Sequence, residues 1–113
     1  MGIKNRKDYV TNLVETTLAK YRKNAKVNIE FAKRPAEIAA STYDYETSTP
    51  TIVFSLYWLQ KLTYTELRNL ALHECAHIIT KSGHTKNFRE TCCKIGVPKR
   101  WSRAYTDDVE TVR

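Results

Sequence analysis

A chain of 113 residues has room for one compact domain with one core, and not for two of ordinary size. Its 42% hydrophobic and 27% charged residues exclude a disordered polyelectrolyte. No apolar run reaches 18 residues and the first thirty residues are polar and basic, so neither a membrane-spanning helix nor a secretory leader is expected. The formal charge of +7 gathers at the ends: residues 1–34 hold nine Lys/Arg against three acids, 35–80 two against five, and 81–113 eight against four. That polarity is compatible with contact to a phosphate backbone, although no nucleic-acid recognition motif accompanies it. Cysteines 75, 92 and 93 are odd in number and two are adjacent, which argues against a disulfide framework and for a reducing, cytoplasmic setting.

From Lys7 to Arg22, Val10, Leu13, Val14, Thr17, Leu18 and Tyr21 recur at steps of three and four, which predicts a helix packing one face on a core. A helix lying on a membrane surface is the competing reading. Asn24 marks its end. Val27, Ile29 and Phe31 then alternate with Asn28 and Glu30 as in a half-buried strand, until Arg34-Pro35 interrupts them. A second alternating segment, Ile38 to Tyr45, and a third apolar run, Thr51 to Phe54, are separated by the turn-rich stretch from Glu46 to Pro50. Three short strands in succession predict a small three-stranded antiparallel sheet.

A helical turn or two is expected from Ser55 through Leu56, Trp58 and Leu59. Thr63-x-x-Glu66 has the form of a capping box, so a helix should start there and run through Leu67, Leu70, Ala71, His73, Glu74, His77 and Ile78. It should stop near Ser82-Gly83, with Gly83 supplying a left-handed residue. A further helix is expected from Lys86 to Ile95, closed by Gly96 and Pro98, and the tail from Lys99 onward is charged and aromatic by turns.

The chemistry concentrates in His73-Glu74-Cys75-Ala76-His77. Two histidines four apart on a helix project from one face and can share one Zn²⁺. Glu74, beside the first, is placed to act as a general base on attacking water. A catalytic zinc site needs a third protein ligand and an open position, and His84, just past Gly83, is the only other histidine. Glu90, on the next helix, is the alternative third ligand.

The order of these features resembles the SprT-like zincins, which include the Spartan-type DNA–protein crosslink proteases. An N-terminal helix is followed by Ala40-Ser41-Thr42-Tyr43 and Thr51-Ile52-Val53-Phe54-Ser55, then by Leu62-Thr63-Tyr64-Thr65-Glu66-Leu67 leading into His73-Glu74-Cys75-Ala76-His77. Gly83-His84-Thr85-Lys86-Asn87-Phe88-Arg89 and Cys92-Cys93-Lys94-Ile95-Gly96 are similar to the family's Gly-His segment and Phe-bearing helix. The similarity covers residues 5–98. It implies an α+β, zincin-like single domain over 1–113, with a core at 5–98 and a basic aromatic tail at 99–113. It also implies zinc on His73, His77 and His84, Glu74 as the catalytic glutamate, and a protein or peptide substrate. The best-studied members cut proteins attached to DNA. Unlike larger members, the sequence holds no Cys-x-x-Cys pair of the kind in a C-terminal zinc ribbon, and no long DNA-binding or partner-recruiting tail is expected.

Other residues have plainer readings beside functional ones. Cys75, turned away from the histidine face, is expected to fill the core rather than bind metal, and Cys92-Cys93 to pack rather than form a second metal or redox site. Tyr43, Tyr45, Tyr57 and Tyr64 are candidate oxyanion donors, and equally they suit strands and helix edges. Arg100, Trp101, Arg103 and Tyr105 form either a surface for stacking on unpaired bases or a tail docked on the core through its Trp. The functional expectations are a zinc endopeptidase, a non-catalytic nucleic-acid-binding module in which zinc only holds the fold, and, third, a small partner-binding protein whose histidines are incidental.

Overall fold

A computed structural model describes residues 2–21, 26–33, 39–44 and 49–102, with 39–44 described by their backbone alone. The elements are α1 (Ile3–Tyr21), β1 (Asn28–Ala32), β2 (Ala39–Asp44), β3 (Thr49–Ser55), α2 (Leu56–Lys61), α3 (Tyr64–Thr80), α4 (Lys86–Ile95) and a closing 3-10 turn, Lys99–Trp101.

Helix α1 buries the face its periodicity marks, with Val10, Val14 and Leu18 fully enclosed. It begins a turn earlier than expected, because Ile3 also packs against the core. That face lies on α3, so it is not a membrane-surface face. The Arg6 guanidinium ties α1 to the junction after α2, donating to the Leu59 carbonyl at 2.9 Å and to the Leu62 carbonyl. No helix of the described residues is long and apolar enough to cross a membrane.

The sheet departs from the expected antiparallel arrangement. Its three strands lie in the order β1-β3-β2, with β3 parallel to β1 (Asn28 opposite Thr51, Ala32 opposite Ser55) and antiparallel to β2 (Ala39 opposite Phe54, Asp44 opposite Thr49). Consecutive strands β1 and β2 therefore do not pair. Alternation along a strand reveals which face is buried, but neither its neighbours nor their direction. The most apolar strand takes the middle, with Ile52 and Phe54 fully buried. Pro50, expected in a turn, lies in β3 near its start, where a missing amide disturbs the ladder least. The expected helix end at Asn24, the Arg34-Pro35 break, Tyr45 and the turn residues 46–48 fall outside the described residues.

Ser55 caps α2 by accepting from the Trp58 amide at 3.3 Å. Thr63 and Glu66 form the expected capping box: the Glu66 amide donates to Thr63 Oγ1 at 3.1 Å, and the Thr63 amide to Glu66 Oε1 at 2.8 Å. From that start α3 runs through the middle of the molecule, burying Leu67, Leu70, Ala71, Cys75, Ala76 and Ile78 between α1, α4 and the sheet. Its end is a correction. The left-handed residue is Lys81 (φ 53°, ψ 39°), and Gly83 has no positive φ. A non-glycine residue held there costs about 1–2 kcal/mol. The turn it makes brings the Ser82 carbonyl back toward the helix.

Candidate metal centre

His73 and His77 stand one turn apart on α3, and the reversal at Lys81 and Ser82 returns the chain so that His84 meets them. Their ligand nitrogens all lie within 4.8 Å of one another. His77 Nε2 is 3.2 Å from His73 Nε2, and His84 Nε2 is 3.3 Å from it. Thr85, capping α4 by accepting from the Phe88 amide at 3.2 Å, sets where that helix begins relative to His84. The Arg89 guanidinium steadies the loop by donating to the His84 carbonyl at 3.0 Å.

The tautomers follow from the other ring nitrogens. His77 Nδ1–H donates to the Ser82 carbonyl at 2.8 Å, and His73 Nδ1–H donates to the Trp101 carbonyl. A carbonyl can only accept, so each Nδ1 carries the proton and each Nε2 presents a lone pair. Burial lowers the His73 pKa to about 3, with neighbouring His77 and His84 acting in the same direction, and burial lowers that of His77 as well. No proton then stands between two lone pairs 3.2 Å apart. That arrangement repels unless a cation lies between them. Two nitrogens each about 2.0–2.1 Å from one tetrahedral ion would be about 3.3–3.4 Å apart, close to the separations of His77 and His84 from His73, and the whole group of three is compact enough to hold one metal ion.

The same shifts set the acid behaviour of the metal-free chain. An imidazole whose folded pKa lies below its unfolded value of about 6.5 contributes stability that is present above that value and lost as pH falls toward 3. Metal-free protein should lose up to about 2 kcal/mol between pH 7 and pH 5 through His73 alone, a window above carboxylate titration. Denaturant midpoints at the two pH values measure this. Equal midpoints would contradict the neutral, buried histidine.

Phe88, fully buried on α4, is the floor of the cluster. It stacks on His77 (centroids 4.2 Å, interplanar 25°) and meets His73 at 5.0 Å and His84 at 5.1 Å edge-on. Glu74, 1% exposed, follows His73 on α3, and its charge adds to burial in raising the Cys75 and Cys92 thiol pKa values. Cys75 packs against α1, its Sγ 4.0 Å from the Val14 carbonyl, and Cys92 is likewise buried in the core. Cys93 is exposed, and all three are free thiols.

Glu90 does not join the histidines. It faces solvent on α4 and approaches Lys86 at 4.0 Å. Among the described residues no fourth side chain of His, Cys, Asp or Glu type completes the group. Of the tyrosines, Tyr64 is at the far end of α3, packed on Tyr9 beneath Arg6. Tyr57 is exposed against Trp58 and Lys61. Tyr43 is described only by its backbone. Trp101 is buried, which favours the docked reading of its cluster over base stacking, while Arg103 and Tyr105 lie outside the described residues. The sequence placed Phe88 on a Phe-bearing helix but not against the three imidazoles, and it gave no sign of the two backbone carbonyls. The Phe at the fourth position after His84 was a visible signal, whereas carbonyls leave none.

The fold is similar to the crystal structure of the metallopeptidase zymogen jannalysin of Methanocaldococcus jannaschii, at a TM-score of 0.63 and 21% identity over 90% of each chain. No curated protein sequence matches. The sequence profile of the SprT-like family matches residues 8–108, a span that runs from α1 through all three histidines and past the closing turn. The chain belongs to the SprT-like family.

Proposed function

We propose that this protein is a zinc-dependent endopeptidase whose metal is held by His73, His77 and His84 and whose general base is Glu74. The observation that carries the reading is the convergence of three imidazole nitrogens, two of them with their Nδ1 protons committed to carbonyls. Neutral nitrogen donors with no fourth side chain among the described residues suit zinc in an open, catalytic site better than a closed structural one. Bound there, zinc supplies Lewis-acid chemistry, acidifying water and polarising the scissile carbonyl. Glu74 takes the proton of the attacking water on a carboxylate oxygen and returns it to the leaving amine. Its burial keeps that carboxylate from bulk water and strengthens its effect on charge developing nearby.

Strand β2 lies at one edge of the sheet and packs beside α3. An extended polypeptide adding to that edge would have its backbone fixed by strand pairing, with little demand on its sequence. Family membership and the basic ends support DNA-associated proteins as substrates, and the free thiols support a reducing, cytoplasmic setting. The buried Trp101 speaks against the alternative of a base-stacking, non-catalytic module.

The test is removal and return of the metal. Zinc-loaded protein, offered unfolded polypeptides with and without DNA, should generate new amino termini, stop when a chelator strips the metal, and resume when zinc is restored. Cleavage indifferent to chelation would refute the reading.

A further inference from the structure

We propose that Trp101 is a positioning residue for the metal centre: its carbonyl, on the turn after α4, holds the His73 ring so that Nε2 faces the other two imidazoles. The inference rests on the metallopeptidase reading above. His77 and His73 are oriented in different ways. The acceptor for His77, Ser82, is five residues on, at the end of the same helix. The acceptor for His73 lies 28 residues away, so its place depends on how the closing segment docks.

That docking is tightly specified. Gly96 ends α4 in the left-handed region (φ 96°) and turns the chain back toward α3, where Arg68 donates to the Gly96 carbonyl at 3.1 Å. A φ of 96° is strained for a residue with a side chain, and a Cβ at Gly96 would also meet Arg68 Nη2 at 2.9 Å and make the guanidinium shift, so glycine suits both the turn and the clamp. The Val97 amide donates to the Cys92 carbonyl at 2.7 Å and the Trp101 amide to the Pro98 carbonyl at 2.8 Å. Ser102 closes the turn on the Lys99 carbonyl through its amide at 3.1 Å and its hydroxyl at 2.7 Å. Val97, Trp101 and Ser102 are buried while Lys99 and Arg100 remain exposed. The indole is thus the anchor whose burial delivers its own carbonyl to His73. A ring held by Nδ1–H donation keeps one tautomer and one orientation, and its Nε2 becomes a better donor to metal. Without the anchor the His73 ring loses both, though its own helix is intact.

The test combines nitrogen NMR of the histidine rings in metal-free protein with zinc affinity by chelator competition on full-length chains. His73 should be in the Nδ1–H tautomer in the wild type. Trp101→Ala should mix the tautomers and weaken zinc binding about 10- to 100-fold, while Trp101→Phe, which keeps an aromatic anchor, should restore both. Val14→Ala, a core truncation on α1, controls for lost stability and should leave the His73 tautomer unchanged. A wild-type His73 protonated on Nε2 would overturn the proposal without any variant, even if Trp101→Ala fails to fold. So would a Trp101→Ala affinity that equals the wild type or falls only as far as that of Val14→Ala. A wild type that binds no zinc while His73 keeps its Nδ1–H tautomer would instead remove the metallopeptidase reading on which the proposal stands.

Discussion

Glu74→Gln is expected to lose peptide-bond cleavage by about 10²–10⁴-fold while keeping its zinc. Glutamine has nearly the volume of glutamate, so the 1% exposed site is refilled rather than opened. What disappears is an oxygen able to take a proton at neutral pH. The three imidazoles are untouched, and the carbonyls that orient His73 and His77 belong to Trp101 and Ser82. Turnover on an unfolded polypeptide and metal content after desalting measure the two halves separately. Cleavage at the wild-type rate would remove Glu74 from the mechanism.

Phe88→Ala carries the largest expected effect on stability, about 3–5 kcal/mol, because a fully buried ring leaves a cavity at the junction of α3 and α4. The consequence reaches past packing. The ring that stacks on His77 and abuts His73 and His84 is the common surface that keeps all three imidazoles upright. Zinc affinity should fall with it. Phe54→Ala is the matched comparison, equally buried but on β3 against Phe31. It should lose similar stability and bind zinc normally when folded. Wild-type zinc affinity in Phe88→Ala, or equal losses in the two variants, would show that Phe88 is ordinary core.

The parts of this fold that were readable in the sequence are those written by local rules. The capping box at Thr63 and Glu66 starts α3, and the spacing of four between His73 and His77 then puts both rings on one side of it. Gly96 ends α4 where its permissive backbone suggests. The sheet was less readable, since β1 pairs with β3 and not with β2, the next strand in sequence, and the most apolar strand takes the middle, which alternation does not reveal. Composition points to Gly83 for the stop after α3, but the reversal is made by Lys81. The orientation of His73 was invisible, because a backbone carbonyl such as that of Trp101 looks the same in every residue. The three candidate ligands were therefore nameable from the sequence, and the groups that orient their rings were not.

Three histidines are expected to hold one metal ion. That is tested most directly by equilibrating the wild type and His84→Ala with zinc, desalting, and counting metal per chain. Wild-type chains should carry about one zinc each and His84→Ala much less, since it keeps only two of three imidazole donors. No zinc in well-folded wild type, or a full complement retained by His84→Ala, would contradict it.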